Sequence, residues 1–231
     1  YSFADWYSLP LRETKPTQSK TIVAPDLPEV TAPPARLQML KPSDLGGAKA
    51  LAGESVNEDE DVLLARGRLV HRFLEQLPLY PREDRTRTGT ALISGDSDSM
   101  LVPECERLLD EVIALLDRPE LGQLFDPSAL AEVEITAHID GMGPMYGIID
   151  RLIIGPDRVL CIDFKTNRIV PERAEATPEG LLRQMGIYRA ALMQIYPGRR
   201  IDCAILWTTS GTLMELPTDL VMTALQRAAS T

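Results

Sequence analysis

The chain is poor in the residues that staple small folds or hold soft metals. Its 231 residues include three cysteines, Cys105, Cys161 and Cys203, far apart and odd in number. That usage offers no disulfide framework and is typical of reduced thiols in a cytoplasmic protein. Three scattered cysteines also cannot supply the four thiolates of an iron–sulfur cluster. No apolar run approaches the roughly 18 residues that a membrane-spanning helix needs, and no signal peptide is visible. Histidine is limited to His71 and His138. Positive charge is the minority sign, with 24 Lys and Arg against 34 Asp and Glu, a net charge of −10. Tight autonomous binding of a polyanion is not expected of such a chain, because neutralised phosphates supply most of that affinity.

The charge is unevenly spread. Residues 61–150 carry eight basic and 17 acidic side chains, whereas residues 151–200 carry nine basic and five acidic, a local surplus of four. A local basic surface is enough to contact phosphates, and the acidic remainder implies that a larger assembly delivers the nucleic acid. The first residue is Tyr rather than Met, as expected of a part of a longer protein. Residues 1–58 hold Pro10, Pro16, Pro25, Pro28, Pro33, Pro34 and Pro42 and few periodic apolar positions, so they read as an extended connector. Phe3, Trp6 and Tyr7 near its start are either the tail of a preceding domain or a peptide that packs back on the core. Residues 59–231 read as one folded domain.

Within that domain, helical periodicity predicts helices over 61–76, 103–117, 178–195 and 218–229, with a short one at 119–125. Residues 81–95 are rich in Arg, Thr and Asp and read as a polar loop, with Arg82, Arg85 and Arg87 either touching nucleic acid or solvated. Alternation and β-branched content predict strands over 131–139, 146–152, 159–166, 201–207 and 212–216. The fold class is α/β, a mixed central sheet flanked by helices.

Two of these strands carry the chemistry. In 159–166, Leu160, Ile162 and Phe164 point one way, and Cys161, Asp163 and Lys165 the other. Gly155, Pro156 and Asp157 turn the chain so that Asp150 returns beside Asp163. Two carboxylates at one place repel, and a hard divalent cation such as Mg²⁺ is the usual remedy. Lys165 would then orient an attacking water or stabilise charge on a phosphate.

The sequence Gly67-Arg68-Leu69-Val70-His71 opens a helical stretch, and Gly147-Ile148-Ile149-Asp150, Asp163-Phe164-Lys165-Thr166-Asn167 and Gln184-Met185-Gly186-Ile187-Tyr188 follow in order. This set resembles the four motifs of the RecB-type branch of the PD-(D/E)xK nucleases, over about Gly67 to Tyr188, and is most similar to the C-terminal nuclease domains of the AddA subunits of AddAB-type helicase–nucleases. The resemblance implies a restriction-endonuclease-like core and cleavage of DNA. It implies metal ligation by His71, Asp150, Asp163 and the Phe164 carbonyl. Glu132, ahead of Glu134, would be the first-strand acid near the metal. Lys165 would act on the water or phosphate, with Gln184 and Tyr188 facing the centre and holding a phosphate or nucleotide. Gly67 would let its helix approach another element closely. The hard carboxylates suit Mg²⁺, and the imidazole leans the site towards Mn²⁺ as well. Implied partners are single-stranded DNA ends, an AddB-like second subunit and an upstream helicase domain, in repair of double-strand breaks. A non-catalytic DNA-binding or subunit-interaction domain of the same fold is the alternative.

Overall fold

A five-stranded sheet with a different helical layer on each face organises the molecule. The computed structural model describes residues 39–51 and 59–230. The strands are β1 (Leu130–Ile139), β2 (Gly143–Ile154), β3 (Arg158–Lys165), β4 (Arg200–Trp207) and β5 (Thr212–Leu216), and their order in space is their order in the chain. All neighbours are antiparallel except β3 and β4, which run parallel and are joined through a helical crossover. The sheet is therefore mixed, as its sequence pattern requires.

Helices α1 (Glu60–Gln76), α2 (Arg82–Ser94) and α3 (Cys105–Leu116) precede the sheet, α4 (Glu179–Ile195) joins β3 to β4, and α5 (Thr218–Ala229) ends the described chain. Asp59 starts α1 by accepting a bond from the Asp61 amide, and Glu60 and Asp61 complement the helix dipole. The stripe Leu69, Val70, Phe73 and Leu74 then packs with Leu108, Leu109 and Val112 of α3 against Ile162 and Phe164 of β3. On the opposite face, α4 meets Met145, Ile149, Cys161 and Cys203. Helix α4 buries Leu181, Gln184, Met185, Tyr188 and Leu192 because it lies between the sheet and α5.

Gly186 sets how closely α4 and α5 approach. A β-carbon there would come within 2.5 Å of the Val221 carbonyl oxygen and 2.9 Å of the Leu225 β-carbon. Backbone cannot yield as a side chain does. Gly186→Ala is expected to destabilise the fold by about 1–3 kcal/mol, which urea unfolding would register as a lower midpoint at unchanged slope.

The segment 81–95 is a helix rather than a loop. Its first two turns lack an apolar face, so periodicity gives no signal. It is held by pairing, with Arg82 and Arg85 on Asp117 and Arg87 on Asp84, and by Gly89 seated on the Leu109 side chain. Those three arginines are therefore engaged with acids.

Of the expected connector, residues 1–38 and 52–58, with Phe3, Trp6 and Tyr7, lie outside the described residues. Residues 40–48 pack on the domain. Leu40 donates its amide to the Pro144 carbonyl and accepts from the Tyr146 amide, and the Gly180 amide donates to the Ala48 carbonyl. Pro42 comes so close to Gly147 that a β-carbon on that glycine would meet it at 2.8 Å. This stretch lies along β2 just ahead of Asp150.

Candidate active site

The β1–β2 pair changes character where it carries its acids. The ladder pairs Ala131 with Arg151 and Val133 with Ile149, and steps over Glu132 and Asp150. Glu132 takes a φ of +49°, a region that non-glycine residues visit seldom and at some energetic expense. Before this step, Met145 and Ile149 of β2 face the α4 layer. After it, Leu152 faces that layer while Ile153 packs on the α1 side. The alternation reverses at Asp150. Asp150 and Glu132 sit at that reversal, where they meet His71 of α1.

Three potential ligands converge there. One donor atom each from His71, Glu132 and Asp150 lie within 4.8 Å of one another. Glu134 is exposed and is not one of the three. His138 is exposed as well. His71 Nδ1 is 3.5 Å from Asp150 Oδ1, and its Nε2 is 3.2 Å from the Phe164 carbonyl oxygen. Burial pushes the His71 imidazolium down, but the Asp150 carboxylate outweighs it and the net shift is upward. For Asp150 the order is similar: burial raises its pKa, while His71, Lys165 and the Phe164 amide together carry it below the ordinary carboxylate range. The Phe164 amide donates to Asp150 Oδ2 at 2.5 Å. Burial and the neighbouring Asp150 carboxylate push Glu132 upward. His71 thus lies between an acid on one side and a backbone carbonyl on the other.

Asp163 and Lys165 form the adjoining half. Asp163 is almost wholly buried; its Oδ1 accepts from Gln184 Nε2 at 2.7 Å, and its Oδ2 is in contact with the Lys165 ammonium. Burial raises the Asp163 carboxyl, with Lys165 opposing and Asp150 adding to the rise. Burial lowers Lys165, yet Asp163 and Asp150 leave it above its usual value, so the ammonium stays charged. Phe164 joins the halves, its amide on Asp150 and its carbonyl on His71. The structure thus assembles Asp150, Asp163, Lys165, His71, Glu132 and the Phe164 carbonyl in one region, with His71, Glu132 and Asp150 as the convergent triad and Asp163 engaged by Gln184 and Lys165.

Gln184 and Tyr188, expected to face a phosphate, turn to the protein. Gln184 orients Asp163, and the Tyr188 hydroxyl donates to the Ile148 carbonyl at 2.6 Å. Burial, then Asp163 and Asp150, push the Tyr188 phenol far upward, so it remains a neutral donor. Both side chains are buried in the α4 layer, and these bonds occupy their polar tips. Gly67 departs from expectation too: a β-carbon there would meet only Thr166 Oγ1, at 3.7 Å, an ordinary contact. It lines the mouth of the centre instead.

The donor set of one imidazole and two carboxylates, with a backbone carbonyl beside it, fits a hard or borderline divalent cation such as Mg²⁺ or Mn²⁺. A cleft of about 620 Å³ opens over His71 and Glu132, with Arg68, Arg72, Asp96 and Asp98 at its rim. Those four escape a sequence reading. The one available signal is that Arg68 and Arg72 are four residues apart on a helix, on the flank that His71 shares.

A family model described as the PD-(D/E)XK nuclease superfamily matches residues 46–213. Among solved structures, one titled "Crystal structure of SSO0001" is 16% identical, over 72% of this chain and 82% of that one, with a TM-score of 0.33. No curated protein matches the chain.

Proposed function

Since the chain belongs to the PD-(D/E)XK nuclease superfamily, we propose that it hydrolyses phosphodiester bonds of DNA at a centre held by His71, Glu132 and Asp150, with Asp163 and the Phe164 carbonyl alongside. The observation that carries this reading is the convergence of those three donors beside a half-buried lysine paired with Asp163. A bound Mg²⁺ or Mn²⁺ supplies a water of lowered pKa and offsets the negative charge of the scissile phosphate. Lys165 contributes a fixed positive charge in a water-poor site, where it stabilises the developing negative charge on the phosphate far more than it would in bulk water. Its present partner, Asp163, keeps it from wandering, and Gln184 keeps Asp163 in place. Tyr188 acts on the strand rather than on substrate, by fixing the Ile148 carbonyl two residues before Asp150. Gln184 and Tyr188 are positioning residues in this scheme.

The finer assignment is also part of the proposal. Four motifs in RecB-type order and a net charge of −10 suit the nuclease portion of an AddA-type helicase–nuclease. Such a chain would act on single-stranded DNA ends delivered by an upstream motor and an AddB-like subunit, in the cytoplasm, during double-strand break repair. No helix among the described residues is long and apolar enough to cross a membrane.

Incubation of the chain with end-labelled single-stranded DNA and Mn²⁺ is expected to give shorter products, and EDTA is expected to stop it. Products that accumulate equally in EDTA would exclude this centre as their source.

A further inference from the structure

The cleft beside the triad carries two cations that the chemistry above does not use. Arg68 and Arg72 both line it, one turn apart on α1. Each is already paired. Arg68 Nε and Nη2 donate to the two oxygens of Asp98 at 2.6 and 2.8 Å, and Arg72 Nη1 donates to Asp96 Oδ2 at 2.5 Å. The acids are the fixed members. Their side chains are 21% and 12% exposed, against 56% for Arg68 and 45% for Arg72. The loop that bears them is tied down by its own bonds, from the Asp98 amide to Asp96 Oδ1 and from Ser99 Oγ to the Ile93 carbonyl. A carboxylate that takes an arginine side-on presents the same charge and the same spaced oxygens as a phosphate.

We propose that Arg68 and Arg72 are the backbone contacts for the DNA strand that reaches the centre, and that Asp96 and Asp98 occupy them as built-in phosphate mimics which the strand must displace. This rests on the nuclease reading. The strand is single, because the half-exposed Leu64 shares the cleft and offers apolar surface to an unpaired base. Ion pairs as exposed as these are weakly held, so exchange for a phosphate is easy, while affinity in the resting state stays low. Selectivity follows: only a strand with correctly spaced phosphates gains both arginines at once.

The test is binding rather than cleavage. Fluorescence anisotropy with a labelled single-stranded oligonucleotide, in EDTA and over a series of NaCl concentrations, compares the parent chain with two double variants. Asp96→Asn with Asp98→Asn is expected to bind about tenfold more tightly, since two weak competitors are removed. Arg68→Ala with Arg72→Ala is expected to bind about tenfold more weakly, and the slope of log K against log salt should fall by about 1.4, from two contacts at ~0.7 each. Opposite shifts are the signature. If both variants move the same way, or neither moves the salt slope, the pairs are structural ties and the assignment is overturned while Mn²⁺-dependent cleavage by the parent stands. A parent chain that neither binds the strand nor cleaves it with Mn²⁺ sinks the nuclease reading and this assignment together.

Discussion

Asp150→Asn is expected to reduce Mn²⁺-dependent DNA cleavage by roughly a thousandfold or more, the scale of several kcal/mol that a metal centre supplies to the transition state. The substitution is nearly isosteric. The asparagine oxygen can still accept from the Phe164 amide, which donates to Asp150 at 2.5 Å. The amide nitrogen then faces His71 Nδ1, and a neutral imidazole can accept from it while still donating from Nε2 to the Phe164 carbonyl. Folding should therefore survive with a loss of about 1–2 kcal/mol, whereas the triad loses its central charge. Calorimetric titration separates the two effects. The parent is expected to bind Mn²⁺ and to gain about 2.7 kcal/mol of stability when the ion is at a hundred times its dissociation constant; the variant is expected to gain none. Retention of that gain, or cleavage within tenfold of the parent, would mean that His71, Glu132 and Asp150 are not the metal centre.

The same residues show how far a sequence reading reaches. Asp163 and Lys165 were legible because β3 is a regular strand with both faces buried, so alternation alone puts Ile162 and Phe164 in one layer and the acid and base in the other. His71 was legible through its motif and through the amphipathic stripe of α1. Glu132 was harder. It is a left-handed residue at a break in the β1–β2 ladder, and no local pattern announces such a break. Helix α2 was missed because pairing with Asp117, which is distant in sequence, substitutes for an apolar face. The motif set Gln184 and Tyr188 towards the centre, but whether a polar tip meets substrate or protein depends on what packs around it. Here the Ile148 carbonyl and Asp163 take those tips. Periodicity reports faces; it does not report which group on that face a hydrogen bond will find.

Lys165→Met should behave differently from Asp150→Asn in every respect but one. Cleavage is expected to fall by about a hundred- to a thousandfold, the scale seen when a single preorganised donor to a transition state is removed. Mn²⁺ binding should persist, because Lys165 lies outside the triad and its positive charge opposes a cation nearby. Stability should suffer most. Asp163 is 4% exposed at its side chain and Lys165 is its ionic partner, and removal of one member of a buried pair costs about 3–5 kcal/mol. The pH dependence identifies the cause. Burial already holds the Asp163 carboxyl above the usual range, and loss of the ammonium raises it further. The folded state then holds its proton more firmly than the unfolded state does, so the variant loses stability as pH rises through the raised value and regains it as pH falls towards the unfolded carboxyl's range. Urea unfolding at neutral and mildly acidic pH should show the gap between variant and parent narrowing on acidification. A second change, Asp163→Asn in the Lys165→Met background, removes the stranded charge while its side-chain oxygen still accepts from Gln184, and should recover most of the stability at neutral pH without recovering cleavage. Recovery of both would make Lys165 a structural counter-ion and nothing more; a gap that stays constant with pH would mean that Asp163 is not the group left uncompensated.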